Sequence, residues 1–149
     1  NLVLAGGDGW SYDAVYELVE SRGLQKRVLF PGFIEDANLA ALYSSADIMA
    51  FPSLYEGFGL PVLEAMACGV PVFASSVSSL PEVTGDAALL VDPSNVEDMA
   101  DAMLKLTENV DLRQSIREKG LERAEQFSWQ ASAEALLGVY KDLADHVRI

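Results

Sequence analysis

The chain has one cysteine and one histidine in 149 residues. Cys68 therefore has no partner for an internal disulfide, which is consistent with a reducing, cytosolic setting. Cys68 and His146 together fall short of the ligands a Cys/His metal site needs. Positive charge is scarce as well: 10 Lys and Arg stand against 23 Asp and Glu, a net charge of −13. Nucleic acids and anionic membrane surfaces both call for clustered cations, so neither is an expected partner. No apolar run approaches the roughly 20 residues of a membrane span. No basic stretch followed by an apolar core opens the chain, so no signal peptide is read in it. Repeats and low-complexity tracts are absent too. What remains is an ordinary globular composition, half apolar and 22% charged, of a length that makes one domain with a real core. The chain starts abruptly inside an apolar run, Leu2-Val3-Leu4-Ala5, and we read it as a piece of a longer protein.

Apolar runs and helical spacings alternate along the chain. Leu2 to Ala5 is a buried strand broken by Gly6-Gly7-Asp8-Gly9, and a helix from Ala14 to Ser21 is stopped by Gly23. Arg27 to Phe30 is a second strand, closed by Pro31-Gly32-Phe33-Ile34. Asp36 caps a helix on which Leu39, Leu42 and Tyr43 share a face. Ile48 to Phe51 is a third strand, and a helical run from Val62 to Cys68 is ended by Gly69. Val70 to Ala74 is a fourth strand, with Pro71 tolerable only near its start. Ser75 to Pro81 is a polar loop, and Pro81-Glu82-Val83 a single helical turn for which Glu82 reads as cap, with a ligand contact as its alternative role. Ala87 to Val91 is a fifth strand. Ser94 and Glu97 form a capping box for a helix through Met99, Met103 and Leu104. A charged amphipathic helix covers Asp111 to Gln126. Ser128 caps a last helix, about 128–145, whose Trp129 and Tyr140 are expected in core or interdomain packing. Short loops between alternating strands and helices predict an α/β fold with a mainly parallel sheet. In such sheets ligands bind at the carboxyl ends of the strands.

One loop there stands out: Tyr55-Glu56-Gly57-Phe58-Gly59-Leu60-Pro61-Val62-Leu63-Glu64. It is a strand-to-helix turn with Pro61 suited to the first helical position. Such a turn offers unpaired N–H groups, here those of Phe58, Gly59 and Leu60, at the positive end of a helix dipole, which favours an anion, typically a phosphate. Glu56 lies ahead of these donors and Glu64 about one helical turn beyond them. Carboxylates beside an anion site need hydrogen-bond donors, and sugar hydroxyls supply them. The pair thus suits a sugar–diphosphate–nucleoside. On spacing alone, a solvated group or a charge at a helix N-terminus is the favoured reading of either glutamate. Gly6-Gly7-Asp8-Gly9 lacks the G-x-G-x-x-G spacing of a dinucleotide site and reads as a tight turn. Ser75, Ser76, Ser78 and Ser79 read as loop solvation.

The string from Glu56 to Val72 resembles the E-x7-E signature of retaining glycosyltransferases of family 4, which have the GT-B fold. The resemblance extends to Leu2–Gly6, Val28–Ile34, Ser44–Asp47, Leu80–Val83, Leu89–Pro93 and Phe127–Trp129, in order and over nearly the whole chain. It implies a Rossmann-like open parallel sheet with helices on both faces, the C-terminal half of a GT-B fold. Residues 1–149 would form a single nucleotide-sugar-binding domain, without its own first strand and helix and without the N-terminal acceptor domain. The final helix would cross back towards that domain.

Residue by residue, the resemblance implies that Glu56 is the catalytic carboxylate, meeting the donor sugar's hydroxyls next to the reacting carbon. Glu64 would hold the ribose. Phe58, Gly59 and Leu60 would meet the sugar and diphosphate through the backbone, and Gly32, Phe33 and Ile34 the base. Transfer of a hexosyl group, mannosyl or glucosyl, would proceed with retention and with neither metal nor other cofactor. The phosphate-binding Arg and Lys and the acceptor site, for a sugar or lipid-linked glycan, would lie outside this chain, leaving it without useful turnover. The setting would be cytoplasmic, with any peripheral membrane association made through the other parts. Two other classes stay open: a non-catalytic nucleotide-sugar binding module, and an interaction domain that docks a partner through its last helix.

Overall fold

A computed structural model describes residues 1–7, 9 and 12–147. The chain divides into two compact units, Asn1–Ala41 and Leu42–Ile149, and the division falls inside the helix Asp36–Ser44. Among the described residues every strand pairing is parallel, and helices separate the strands in order, as expected for an α/β chain.

In the first unit β1 (Leu2–Ala5) pairs with β2 (Val28–Gly32), and α1 (Asp13–Ser21) lies between them in sequence. The strand β2 runs on through Pro31 and Gly32, past the expected end at Phe30. The ladder tolerates this because its register shifts between Val3 and Ala5, so the proline needs no donor there. The Gly32 carbonyl then accepts from the Gly6 N–H at 2.9 Å. Asp8, within the Gly6–Gly9 turn, lies outside the described residues. Tyr16 of α1 stacks on Phe30 of β2 with ring centroids 4.3 Å apart. The helix α2 (Asp36–Ser44) takes in Asp36 as its first residue, so Asp36 contributes charge to the first turn where a cap was expected.

The second unit holds a three-stranded sheet of β3 (Met49–Phe51), β4 (Val72–Ser75) and β5 (Ala88–Val91), in that order. Pro71 stays just outside β4, where its carbonyl accepts from the Met49 N–H at 2.9 Å. The buried centre is β4 with α3 (Leu60–Ala67) and the short α4 (Leu80–Thr84). On α3 the buried positions are Val62, Leu63, Ala65 and Met66, each large side chain contributing about 1.5–3 kcal/mol by burial. Leu60, Glu64 and Ala67, four and three residues apart, form its exposed face. Gly69 ends α3 with φ +69°, its N–H bonding Met66 and the Val70 N–H bonding Ala65, the paired closure of a Schellman motif.

The remaining helices are α5 (Val96–Glu108), α6 (Val110–Glu125) and α7 (Trp129–Val147). Asn95, not Ser94, caps α5: its Oδ1 accepts from the N–H groups of Glu97 and Asp98. Ser94 is unavailable because its own N–H and hydroxyl both donate to Asp92 Oδ1. Ser128 caps α7 as expected, accepting from the Ala131 N–H at 3.0 Å. Trp129 is 82% exposed and Tyr140 60%, so neither packs in the core of this unit.

Candidate functional site

The loop that follows β3 and the loop that follows β4 meet at the carboxyl edge of the second unit's sheet. Of the serines expected as loop solvation, Ser76 is exposed, whereas Ser75, Ser78 and Ser79 hold the first loop. Ser75 is fully buried in β4 and donates to the Ser53 carbonyl. Ser78 takes a left-handed conformation, φ +62°, which is unfavourable for a residue with a Cβ. Its hydroxyl donates to the Glu56 carbonyl and accepts from the Glu56 N–H at 3.2 Å. The Ser79 hydroxyl lies 3.1 Å from the Glu56 carbonyl oxygen and 3.0 Å from that of Phe58.

Gly59 is the hinge between loop and helix. Its φ of +104° is a glycine conformation, and a Cβ there would lie 2.6 Å from Cδ2 of the buried Leu80. The helix starts at Leu60, two residues before the expected start at Val62, because the Gly59 carbonyl already accepts from the N–H groups of Val62 and Leu63. Pro61 is accordingly the second helical residue, still within the turn whose N–H groups have no intrahelical acceptor. The N–H groups of Gly57, Phe58, Gly59 and Leu60 make no hydrogen bond among the described residues.

Glu64 projects from the exposed face of α3, one turn after Leu60, and helical side chains lean back towards the N-terminus. Its Oε2 accepts from the Tyr43 hydroxyl at 3.0 Å. Burial, reinforced by the hydrogen bond to Glu64 and that carboxylate's charge, pushes the Tyr43 phenol up to about 12. The Glu56 side chain is half-buried and its carboxylate makes no hydrogen bond among the described residues. Phe58 packs edge-to-face on Phe127 with centroids 5.9 Å apart. Arg123 lies 4.9 Å over the other ring of that pair, Phe127, and its guanidinium donates to the carbonyls of Val83 and Glu82 at the end of α4. Glu82 itself lies inside α4 and does not cap it, since the helix starts at Leu80.

Thus Glu56, Phe58, Gly59, Leu60 and Glu64 come together on one turn and helix. Gly32, Phe33 and Ile34 follow one another at the end of β2 in the first unit, with Gly32 at φ +75° and Phe33 75% exposed. Tyr43, Ser78, Ser79 and Arg123 are contacts that sequence reasoning missed. Their partners lie 21 to 23 residues away for the tyrosine and serines and about 40 for the arginine, beyond the reach of any local pattern. Among the described residues no group of three or more His, Cys, Asp or Glu side chains gathers as a metal site would require. No helix is long and apolar enough to cross a membrane, again among the described residues.

A family model for the group 1 glycosyl transferases matches residues 1–123. The chain belongs to that family. Its α/β architecture is the GT-B type of its structural neighbours. O-antigen chain mannosyltransferase B of Escherichia coli is 41% identical over 140 residues, which cover 94% of this chain and 37% of that protein. Sucrose-phosphate synthase of Thermosynechococcus elongatus superposes with a TM-score of 0.87 at 34% identity, over 97% of this chain and 39% of that one. HepE of Anabaena, solved with UDP and glucose, gives a TM-score of 0.80 at 29% identity, over 91% of this chain and 40% of its own. The group 1 chain described here thus spans little more than a third of the length of the curated relative.

Proposed function

We propose that this chain is the donor half of a retaining glycosyltransferase of family 4, with Glu56 and Glu64 as its E-x7-E pair. One observation carries the reading. Among the described residues nothing hydrogen-bonds to the N–H groups of the turn from Gly57 to Leu60 at a helix N-terminus, while Glu64 stands on the same helix face as Leu60. That juxtaposes an anion cradle with a carboxylate able to accept from hydroxyls. The N–H groups of Phe58, Gly59 and Leu60 take the diphosphate and sugar. Glu64 takes the ribose hydroxyls, Glu56 the sugar hydroxyls beside the reacting carbon, and Gly32, Phe33 and Ile34 the base. As the bond to the diphosphate breaks, negative charge grows on the leaving oxygen, and the preorganised N–H groups and helix dipole lower the cost of that charge.

The sugar is a hexosyl group, mannosyl or glucosyl, in keeping with the mannosyltransferase name of the Escherichia coli relative and the UDP and glucose of HepE. No metal or other cofactor takes part. Residues 1–149 act as one nucleotide-sugar-binding domain, α7 reaches back towards an acceptor domain, and acceptor and phosphate cations come from outside this chain. Transfer takes place in the cytoplasm, and the chain alone has no useful turnover.

The test is Glu56→Gln in a polypeptide that carries this chain with its acceptor half. Transfer should be lost while donor affinity is kept; unchanged transfer would refute the catalytic assignment. A thermal-shift panel of uridine, guanosine and adenosine diphosphate sugars separates a donor site from a pure docking module. A ligand at 100 times its Kd stabilises by about 2.7 kcal/mol. Silence across the panel would instead favour the docking reading, to which the exposed Trp129, Leu136 and Tyr140 of α7 lend support.

A further inference from the structure

Tyr43 is the one side chain that hydrogen-bonds to either motif carboxylate among the described residues. Its ring is anchored: Tyr43 packs against the cluster formed by α3, β4 and α4, and so it is half-buried. Only the hydroxyl reaches out, to Glu64 Oε2 at 3.0 Å. Glu64 itself is exposed, on the solvent face of α3, and an exposed glutamate left alone samples several rotamers. A carboxylate has two oxygens and about four acceptor positions. Engaging Oε2 from one direction restricts the rotation of the group and leaves Oε1 free to accept.

We propose that Tyr43 is a positioning residue for Glu64, its hydroxyl locking one carboxylate oxygen so that the other is presented to the vicinal diol of a ribose. The proposal deepens the donor-site reading above and rests on it. The phenol serves because it donates without bringing a positive charge that would compete for the carboxylate. A phenol at its ordinary value of 10.0 already keeps its proton throughout the physiological range, and burial raises this one further. A lysine in the same place would pair with Glu64 and weaken it as an acceptor for a neutral hydroxyl.

The proposal predicts a change in discrimination, which loss of packing alone would not produce. Affinities of a polypeptide that carries this chain with its acceptor half for uridine, guanosine and adenosine diphosphates are compared with those for the 2′,3′-dideoxy forms, in the wild type and in Tyr43→Phe. The wild type should favour the ribose form of the base it accepts by about tenfold or more, the range of a hydrogen bond to a charged group. Tyr43→Phe keeps the ring and its packing, and should shrink that preference by about three- to tenfold while leaving affinity for the dideoxy form unchanged. Glu64→Gln should lower the same preference, and adding Tyr43→Phe to it should change the ratio little further. If the wild type discriminates and Tyr43→Phe discriminates equally well, or loses affinity for both forms alike, the positioning role is overturned and the donor site stands. Binding without ribose preference, or no binding of any of the three, overturns both.

Discussion

Gly59→Ala is the substitution on which the geometry of the motif loop bears most directly. Two costs add. The first is conformational: at φ +104° an L-residue lies outside its ordinary regions, a strain of about 1–3 kcal/mol. The second is steric: the new Cβ falls 2.6 Å from Leu80 Cδ2, and overpacking of this kind costs about 1–3 kcal/mol. Leu80 cannot swing aside cheaply, because it is fully buried among α3, β4 and α4. The sum is about 2–6 kcal/mol, a large part of the roughly 5–15 kcal/mol that holds a domain folded. In urea, where the slope is about 2 kcal/mol per molar, the midpoint should fall by about 1–3 M.

A double-mutant cycle separates the two costs. Leu80→Ala alone should destabilise by about 2–5 kcal/mol through the cavity it leaves. In that background the added methyl has room, so Gly59→Ala should cost only its conformational part, and the cycle should show about 1–3 kcal/mol of favourable coupling. Gly57→Ala is the internal control. A Cβ there meets nothing within 4 Å, and no positive φ is involved, so the unfolding free energy should change by no more than about 0.5 kcal/mol. A Gly59→Ala protein as stable as the wild type, or strict additivity with Leu80→Ala, would refute the reasoning.

The second loop makes its own prediction: Ser78→Ala keeps the positive φ and loses the hydroxyl, so it should cost about 1–2 kcal/mol by thermal unfolding. Ser78→Gly loses the same hydroxyl but is at ease at φ +62°, and should be the more stable of the two by about 0.5–1 kcal/mol; equal losses would mean that the left-handed conformation is not kept in solution. The Tyr43 phenol gives a signature on the alkaline side. Its folded-state value, about 12, lies above the ordinary 10.0, so its contribution is complete below pH 10 and is lost as pH rises towards 12. Wild type should therefore lose stability across that window more steeply than Tyr43→Phe, and parallel curves would count against the burial and the Glu64 hydrogen bond that together raise the phenol.

Much of this fold is legible locally. The spacing of Val62, Leu63, Ala65 and Met66 marks the buried side of α3 and leaves Glu64 outside. Gly69 stops that helix and Ser128 opens α7, each by a motif contained within a few residues. Where two neighbours compete for a role, the pattern is ambiguous: Ser94 and Asn95 can both cap α5, and the choice falls to Asn95 once Asp92 has engaged Ser94. The serines after β4 mislead for a different reason. A polar loop ordinarily faces water, and nothing near Ser78 or Ser79 in sequence announces carbonyl partners 22 and 23 residues away.

Those partners determine what the motif loop has left to offer. Ser78 and Ser79 occupy the Glu56 carbonyl, Ser79 also reaches that of Phe58, and the first turn of α3 occupies that of Gly59. Acceptors along the loop are therefore largely satisfied from within, whereas the N–H groups from Gly57 to Leu60 find no partner among the described residues. The backbone of the turn is left mainly a surface of donors, and the polarity that suits it to a phosphate is imposed as much by two hydroxyls on the next loop as by the glycines of the motif. A chain carrying a net charge of −13 can in this way offer an anion a favourable seat without placing a cation there.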